Sequence, residues 1–331
     1  MSGKVLITGG AGFIGFHLAT RLVGNGYQVH VLDNLARGIV DKDLENLINK
    51  PEVSFSVVDL LEKKSLLALD KDYDFIFHLS ALIGVKHVIR QPYKVLTQNT
   101  HMLENTIALS QQQLNLSRLL FASTSEVYAG TLDQFHLNIP TAENSPLAVG
   151  ILDEPRTSYM LSKIMGETMC HHSGVPYTIF RPHNIYGPRM GMAHVIPEQL
   201  RVAFNARSGD HLDVYSLEHT RTFCFVDDAV AMLIRMIESD SCIGQTMNLG
   251  VETPEVTIRE VVETCIRVTG KKLQINSLPS TPGSPKRRVP DMRLAKSLLG
   301  YESQGNLREG ITKTWEWYRK NVFENCGRSA E

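Results

Sequence analysis

Apolar residues in the first half of the chain come in short runs separated by longer stretches of helical periodicity. Lys4-Val-Leu-Ile-Thr8, Gln28-Val-His-Val-Leu-Asp33, Ser54-Phe-Ser-Val-Val58 and Asp74-Phe-Ile-Phe-His-Leu79 each read as a strand, as do Arg118-Leu-Leu-Phe-Ala-Ser123 and Pro176-Tyr-Thr-Ile-Phe-Arg181. Gly15 to Asn25 reads as a helix closed by Gly26, and the apolar positions between Val95 and Leu109 and along the segment bearing Tyr159 pack a core. Strand, helix, strand at this spacing predicts an α/β chain with a parallel sheet covered on both faces. The pattern changes after Arg181, where Pro182, Gly187, Pro188 and Pro197 punctuate the sequence. Loops and short elements are expected from there on, with Thr281 to Pro290 the clearest loop and a polar tail over 323–331. There is no internal repeat.

Composition narrows the class. In 331 residues, 34 Lys and Arg balance 35 Asp and Glu, so no global field attracts nucleic acid or a membrane surface. An anionic ligand has to be held by local charges. The first strand at Val5 leaves no room for a signal peptide, and no apolar run approaches a membrane span. Cys170, Cys224, Cys242, Cys265 and Cys326 are scattered without metal-binding spacing, which suits reduced thiols in a cytoplasmic protein. No metal site is expected: adjacent His171 and His172 point to different sides of a helix, and Asp227-Asp228 reads as the cap of a helix beginning near Ala229. Met190 and Met192 read as packing.

Two local patterns carry chemistry. Gly9-Gly-Ala-Gly12-Phe-Ile-Gly15 follows the first strand and opens the first helix, the strand–turn–helix context in which a helix N-terminus faces a pyrophosphate. Asp33 ends the second strand, where a carboxylate accepts from adenosine ribose hydroxyls and repels a 2′-phosphate, favouring NAD over NADP, although Arg37 lies close enough to tolerate that phosphate. Asp59-Leu60 ends the third strand and is placed to meet the adenine. Tyr159 and Lys163 stand one helical turn apart on one face. There the lysine is expected to lower the phenol toward the range of a general base, which takes a proton from an alcohol while a nicotinamide takes the hydride.

With His78-Leu-Ser-Ala81, Ser123-Thr-Ser-Glu-Val-Tyr128, Tyr159-Met-Leu-Ser-Lys163, Arg181-Pro-His-Asn-Ile-Tyr-Gly-Pro-Arg189, Thr220-Arg-Thr-Phe-Cys-Phe-Val-Asp-Asp228 and Met247-Asn-Leu-Gly250, the chain resembles extended short-chain dehydrogenases/reductases. Within that superfamily the resemblance is to the NAD-dependent nucleotide-sugar epimerase/dehydratase branch, from Val5 to about Lys320. It implies a Rossmann-type doubly wound sheet with a smaller C-terminal substrate-binding domain. The NAD domain would comprise 1–181 plus about 222–249, and the nucleotide-sugar domain about 182–221 plus 250–322. By resemblance, Thr124 hydrogen-bonds the sugar O4 beside Tyr159, and Lys163 binds the nicotinamide ribose. Asn184 meets the diphosphate or sugar, Arg221 and Arg288 grip the diphosphate, and Asp291 lies near the nucleoside ribose. Cofactor contacts are implied for Phe13, Ile14, Asn34, Leu60, Leu79, Ala81 and Asn99, substrate contacts for Val195 and Tyr215. A homodimer through a four-helix bundle is expected from the same resemblance.

The family's shared step is oxidation at C4 of the hexose, after which the routes diverge. Glu126 in Thr124-Ser125-Glu126 is placed to assist proton transfer at C5, a position where simple 4-epimerases usually carry a small residue. Dehydratases often have an acid where Ser125 stands. The triplet therefore resembles UDP-glucuronate decarboxylases most, with a UDP-sugar 4-epimerase, a 4,6-dehydratase and a non-enzymatic NAD-binding regulator as alternatives. One segment departs: decarboxylases of the family carry Pro-Pro-x-Tyr after His78-Leu-Ser-Ala81, whereas Leu82-Ile-Gly-Val-Lys-His-Val-Ile89 resembles epimerases. Lys86, His87 and Arg189 are candidates to meet a uronate carboxylate, and the Lys286-Arg287-Arg288 run has the alternative of a solvated basic loop.

Overall fold

A computed structural model describes residues 3–135, 137–281, 284–303 and 305–324, with the side chains of Val85 and Lys86 outside the description. In chain order the first part comprises β1 (Lys4–Thr8), α1 (Phe13–Gly24), β2 (Gln28–Asp33), α2 (Lys42–Ile48), β3 (Val53–Val57), α3 (Lys63–Leu67), β4 (Phe75–His78), α4 (Val85–Arg90), α5 (Pro92–Ser110) and β5 (Arg118–Ala122). A 3-10 turn at Ser125–Tyr128 leads into α6 (Ala129–Gln134), α7 (Pro155–His172) and β6 (Tyr177–Pro182). Then follow β7 (Ile185–Tyr186), α8 (Val195–Asn205), β8 (His211–Tyr215), β9 (Thr220–Arg221), β10 (Cys224–Phe225), α9 (Val226–Glu238) and β11 (Thr246–Leu249). The chain ends with β12 (Val256–Thr257), α10 (Ile258–Val268), β13 (Gln274–Leu278), β14 (Arg287–Arg288), α11 (Arg293–Leu299), α12 (Leu307–Tyr318) and a π-helical turn at Arg319–Phe323.

Seven parallel strands form the main sheet in the order β11-β6-β5-β4-β1-β2-β3. The order reverses between β1 and β4, the switch point at whose carboxyl edge ligands bind in such sheets. Leu18, Leu22, Val230 and Leu233 of α1 and α9 pack one face, and Leu103, Ile107 and Cys170 of α5 and α7 the other. Strands buried on both sides must be apolar throughout, which is why their runs were readable. A Cβ on Gly166 of α7 would lie 2.5 Å from the Phe121 ring, so only glycine lets this helix approach β5 so closely. That approach brings Tyr159 to the end of β5.

A smaller unit stands beside the sheet. Strands β8 and β13 pair in parallel, and α10, opened by a Thr257/Glu260 capping box, packs Val262 and Ile266 onto Leu212 and Val214. A three-stranded ribbon, β12-β9-β14, brings Arg288 to Glu126 in the 3-10 turn that follows β5.

Four expectations need correction. The region after Arg181 is not mainly loops: α8, α9, α10 and α12 span 11 to 13 residues each. Proline and glycine there mark element ends rather than unstructured chain. The Thr281–Pro290 loop holds β14, and Phe323 of the expected tail stacks on Phe204 at 5.3 Å. Asp227 and Asp228 do not cap a helix near Ala229. They sit in the first turn of α9, and Asp228 accepts from Tyr301 and Ser303, pinning the C-terminal segment to that helix. Residues 325–331, including Cys326, lie outside the described residues, and the other four cysteines are free and buried. Among the described residues no helix is long and apolar enough to cross a membrane.

Candidate active site

The cofactor end is built by the turn after β1. A Cβ on Gly15 would come within 2.4 Å of the Gly9 carbonyl, so the first helical turn can lie against the glycine loop only without a side chain there. Helix α1 has Gly12 at its N-cap with no side-chain cap and no acidic residue in its first turn, which leaves its N–H groups and its dipole for a phosphate. Asp33 is buried and accepts from the Ala11 and Leu35 N–H groups, which aims its carboxylate along the loop. Asn34 donates to Asp59, and Asp59 accepts from the Leu61 N–H, closing the adenosine side; Leu60 is buried beneath it. Phe13 lies against Gly187, and Ile14 joins the core beneath the turn. These residues fit a dinucleotide.

Leu79 and Ala81 line the loop after β4. Buried Asn99 accepts from the Leu82 N–H and donates to the Leu82 carbonyl and to Ser162 on α7, so it staples this loop to the helix bearing Tyr159.

At the sugar end, the hydroxyl of Thr124 accepts from the Glu126 N–H and hydrogen-bonds Tyr159. The expectation for Tyr159 is corrected in one respect. Burial pushes its phenol up to about 12, against which the Thr124 hydrogen bond and the Arg37 charge pull it down while Glu126 pushes it up. Lys163, the expected depressant, is buried and donates to the Ala122 carbonyl at 2.7 Å, with its ammonium 6.0 Å from the Tyr159 ring centroid. Desolvation lowers Lys163 to about 8. The pair shares a helix face as expected, but the lysine is anchored to β5.

Glu126 and Arg288 lie 162 residues apart in sequence and form an ion pair at 2.6 Å. The ribbon explains how: Arg288 of β14 pairs in register with Arg221 of β9, and from that register Arg288 reaches the 3-10 turn. Arg288, then Arg156 and Arg221, hold the Glu126 carboxyl below its ordinary range against the opposing effect of burial. Arg156 was not singled out from the sequence. It stands three residues before Tyr159 in α7, a spacing that shares its face.

Several expected substrate residues are committed elsewhere. Buried Arg221 donates its terminal N–H groups to the Thr220, Pro285 and Lys286 carbonyls and to Ser284, as a desolvated guanidinium must, and is lowered to about 10 by burial and by Arg288. It organises the 284–286 loop instead of presenting a free fork. Asp291 grips Arg293 at 2.5 Å and accepts from its backbone N–H, opening α11. Arg189 pairs with Asp41, stacks 4.2 Å from the Phe16 ring centroid and reaches the Ala11 carbonyl, so it closes the cofactor side rather than meeting a uronate. Asn184 has a φ of 42° and donates to the Thr222 carbonyl at 2.9 Å. Val195 opens α8, Tyr215 is exposed at the end of β8, and His87 is exposed on α4. The Lys86 side chain falls outside the described residues.

A buried polar network, also unread from sequence, supports the strand ends. Glu167 takes two hydrogen bonds from Arg181, at 2.8 and 2.6 Å, and one from Ser123 at 2.5 Å. Arg181 donates on to the Tyr128 hydroxyl and the Glu143 carbonyl, and Tyr128 donates to Asn248 of β11. His183 shares the same Asn248 oxygen through Nε2, and its Nδ1 is buried without a partner among the described residues. Among the described residues no cluster of three metal-binding side chains occurs, and His171 is occupied by the Tyr177 hydroxyl at 2.6 Å.

A glycine turn opening into a helix, a strand-end acid and a Tyr–Lys helix across the switch point define an NAD-dependent oxidoreductase site. The model of the NAD dependent epimerase/dehydratase family matches residues 5–250, and the chain belongs to that family. It is 33% identical to a UDP-N-acetyl-alpha-D-glucosaminuronate decarboxylase of Bacillus cytotoxicus, over 97% of this chain and 99% of that one. It is also 33% identical to UDP-glucuronic acid decarboxylase 1 of Xenopus tropicalis, over 96% of this chain and 73% of the relative. Among solved structures, an epimerase of Methanothermobacter thermautotrophicus superposes with a TM-score of 0.86 at 26% identity, covering 99% of this chain and 95% of that one.

Proposed function

We propose that the protein decarboxylates a UDP-linked uronate through a 4-keto intermediate, with the sheet domain holding NAD and the smaller unit the nucleotide sugar. The observation that carries this reading is the ion pair of Arg288 with Glu126, in a field to which Arg156 and Arg221 add positive charge, two residues beyond the Thr124 that meets Tyr159. A neutral hexose offers such a cluster nothing to bind beyond its diphosphate. A uronate adds a carboxylate at C5, the carbon beside the C4 that Thr124 and Tyr159 address. The relatives named as uronate decarboxylases support the same choice.

Held by the Gly9–Gly15 turn and Asp33, NAD would supply the acceptor for the C4 hydride and the donor for its return. Once ionised, a state that the Thr124 hydrogen bond and the Arg37 charge favour against burial, Tyr159 takes the C4 hydroxyl proton, and Lys163 holds the helix face against β5. The resulting ketone makes the C5 carboxylate a β-keto acid. The C5–carboxyl bond breaks, carbon dioxide leaves, and its bonding pair is taken up as an enolate. Solvent water then protonates the enolate at C5, and Tyr159 gives its proton back to the C4 oxygen as the ketone is reduced. Glu126, kept ionised by its arginines, accepts hydrogen bonds and stabilises the cationic cluster, and Arg288 donates toward the developing charge. Buried Ser125 offers no acid for expelling a C6 hydroxyl, which disfavours the dehydratase. The epimerase-like Leu82–Ile89 segment keeps 4-epimerisation as the second reading.

A cytosolic homodimer through α5 and α7 completes the proposal, supported by the four free buried cysteines and by Tyr93 and Met165 exposed on those helices. Mass spectrometry of a panel containing UDP-glucuronate, UDP-N-acetylglucosaminuronate, UDP-glucose, UDP-N-acetylglucosamine and GDP-mannose tests the function. Carbon dioxide loss from a uronate is expected. Products of unchanged mass from the neutral sugars would establish the epimerase instead.

A further inference from the structure

We infer that Arg37 clamps the cofactor: its guanidinium crosses the dinucleotide groove and binds the NAD pyrophosphate, rather than serving a 2′-phosphate. The inference rests on the NAD dependence of the family and not on the choice of sugar chemistry. Arg37 lies four residues beyond Asp33, whose carboxylate marks the adenosine ribose. A guanidinium serving a 2′-phosphate would stay beside that carboxylate. Arg37 turns away instead. Its Nη1 donates to the Ile83 carbonyl at 3.1 Å, on the loop after β4 and across the switch point from β2. Its Nη2 lies 3.8 Å from where a Cβ on Gly191 would stand, so the same side chain also reaches the segment leading into α8. Tyr159 and His194 both sense its charge. The side chain thus runs from the adenosine end toward the nicotinamide end, and the pyrophosphate is the part of NAD that joins those ends.

The charge balance agrees. The glycine turn from Gly9 to Gly15 contains no Lys or Arg and offers the phosphates only N–H groups. Arg189, the other guanidinium near this turn, is neutralised by Asp41. Arg37 makes no ion pair among the described residues and remains available to a dianion. Its loop is built rather than loose: Leu35 and Ala36 donate their N–H groups to Asp33 and Asn34, and the Arg189–Asp41 pair holds the far end. A clamp here suits a reaction in which the reduced cofactor has to stay bound until the hydride returns.

Titration calorimetry of the full-length chain with NAD, NADP and adenosine, for wild type, Arg37→Ala and Arg37→Gln, tests the inference, with circular dichroism checking the fold of each variant. NAD and NADP affinities are expected to fall together by about 10- to 100-fold, the effect of removing a charged hydrogen-bond donor. Adenosine, which carries no phosphate, should bind within about twofold of wild type. Retention of NAD after gel filtration should fall in parallel. A loss confined to NADP would assign Arg37 to the 2′-phosphate and overturn the inference. Equal losses for all three ligands would make Arg37 a support of its loop, and unchanged binding would leave it no role; either result also overturns the clamp.

Discussion

Glu167→Gln removes one charge from the buried pair beneath the active site, and the structure sets the size of the effect. Both partners are nearly inaccessible, with side-chain exposures of 6% for Glu167 and 5% for Arg181, and they meet at 2.6 Å. Burial opposes the Arg181 charge, but hydrogen bonds to Glu167 and the neighbouring Tyr128 outweigh it and hold the guanidinium above its ordinary pKa. The variant strands that charge with a neutral amide, a change that costs about 3–5 kcal/mol. At an unfolding entropy of about 2.1 cal/mol/K per residue, a chain of 331 residues has about 0.7 kcal/mol/K, so Tm should fall by about 4–7 °C. Differential scanning calorimetry with saturating NAD measures it. Glu167 also accepts from Ser123, the residue before Thr124, so kcat should fall while the NAD affinity holds. The double variant Glu167→Leu/Arg181→Met removes both charges and should regain part of the lost Tm. A Tm loss below about 2 °C in the single variant would refute the reasoning, because a stranded buried charge cannot be that cheap.

Tyr159→Phe deletes the base, and turnover should fall by at least about 10²–10⁴-fold with NAD still bound, checked by product assay and cofactor retention. Glu126→Gln leaves the Thr124–Tyr159 contact in place but removes the charge that orients Arg288, so NADH absorbance should still appear on adding UDP-glucuronate while product formation drops about 100-fold; equal product from both proteins would remove Glu126 from the mechanism. Burial pushes His78 and His183 down to about 3, so the unfolded chain binds protons below about 6.5 that the native state refuses. Stability should therefore fall with pH across that window by up to about 1.4 kcal/mol per unit for each histidine, and denaturant titrations of His183→Phe should show a shallower decline than wild type.

The parts of the fold legible in the sequence were those in which local pattern and burial say the same thing. Strands β1 and β2 match their predicted spans because buried parallel strands must be apolar end to end. The glycine turn and the Tyr159–Lys163 spacing were legible because steric demand and helical period are local. The helices after Arg181 were obscured by the prolines and glycines that end them. Contacts between distant segments left no local trace: Glu126 with Arg288, Arg189 with Asp41 across 148 residues, and Ser123 with Glu167 and Arg181. The same limit applies to Arg221, whose basic character was visible but whose burial among the 284–286 carbonyls was not. The helical period places Lys163 beside Tyr159, but a helix face says nothing about the Ala122 carbonyl that anchors its ammonium.

The central claim is that a 4-ketose formed beside Tyr159 loses its C5 carboxylate and is reprotonated at C5 within the arginine cluster. Incubating the enzyme and NAD with UDP-glucuronate in deuterium oxide and following the sugar by NMR tests it directly. The account predicts release of carbon dioxide and a UDP-pentose carrying a single deuterium at C5. A UDP-hexuronate of unchanged mass, inverted at C4 and without deuterium at C5, would contradict it and make the protein a 4-epimerase.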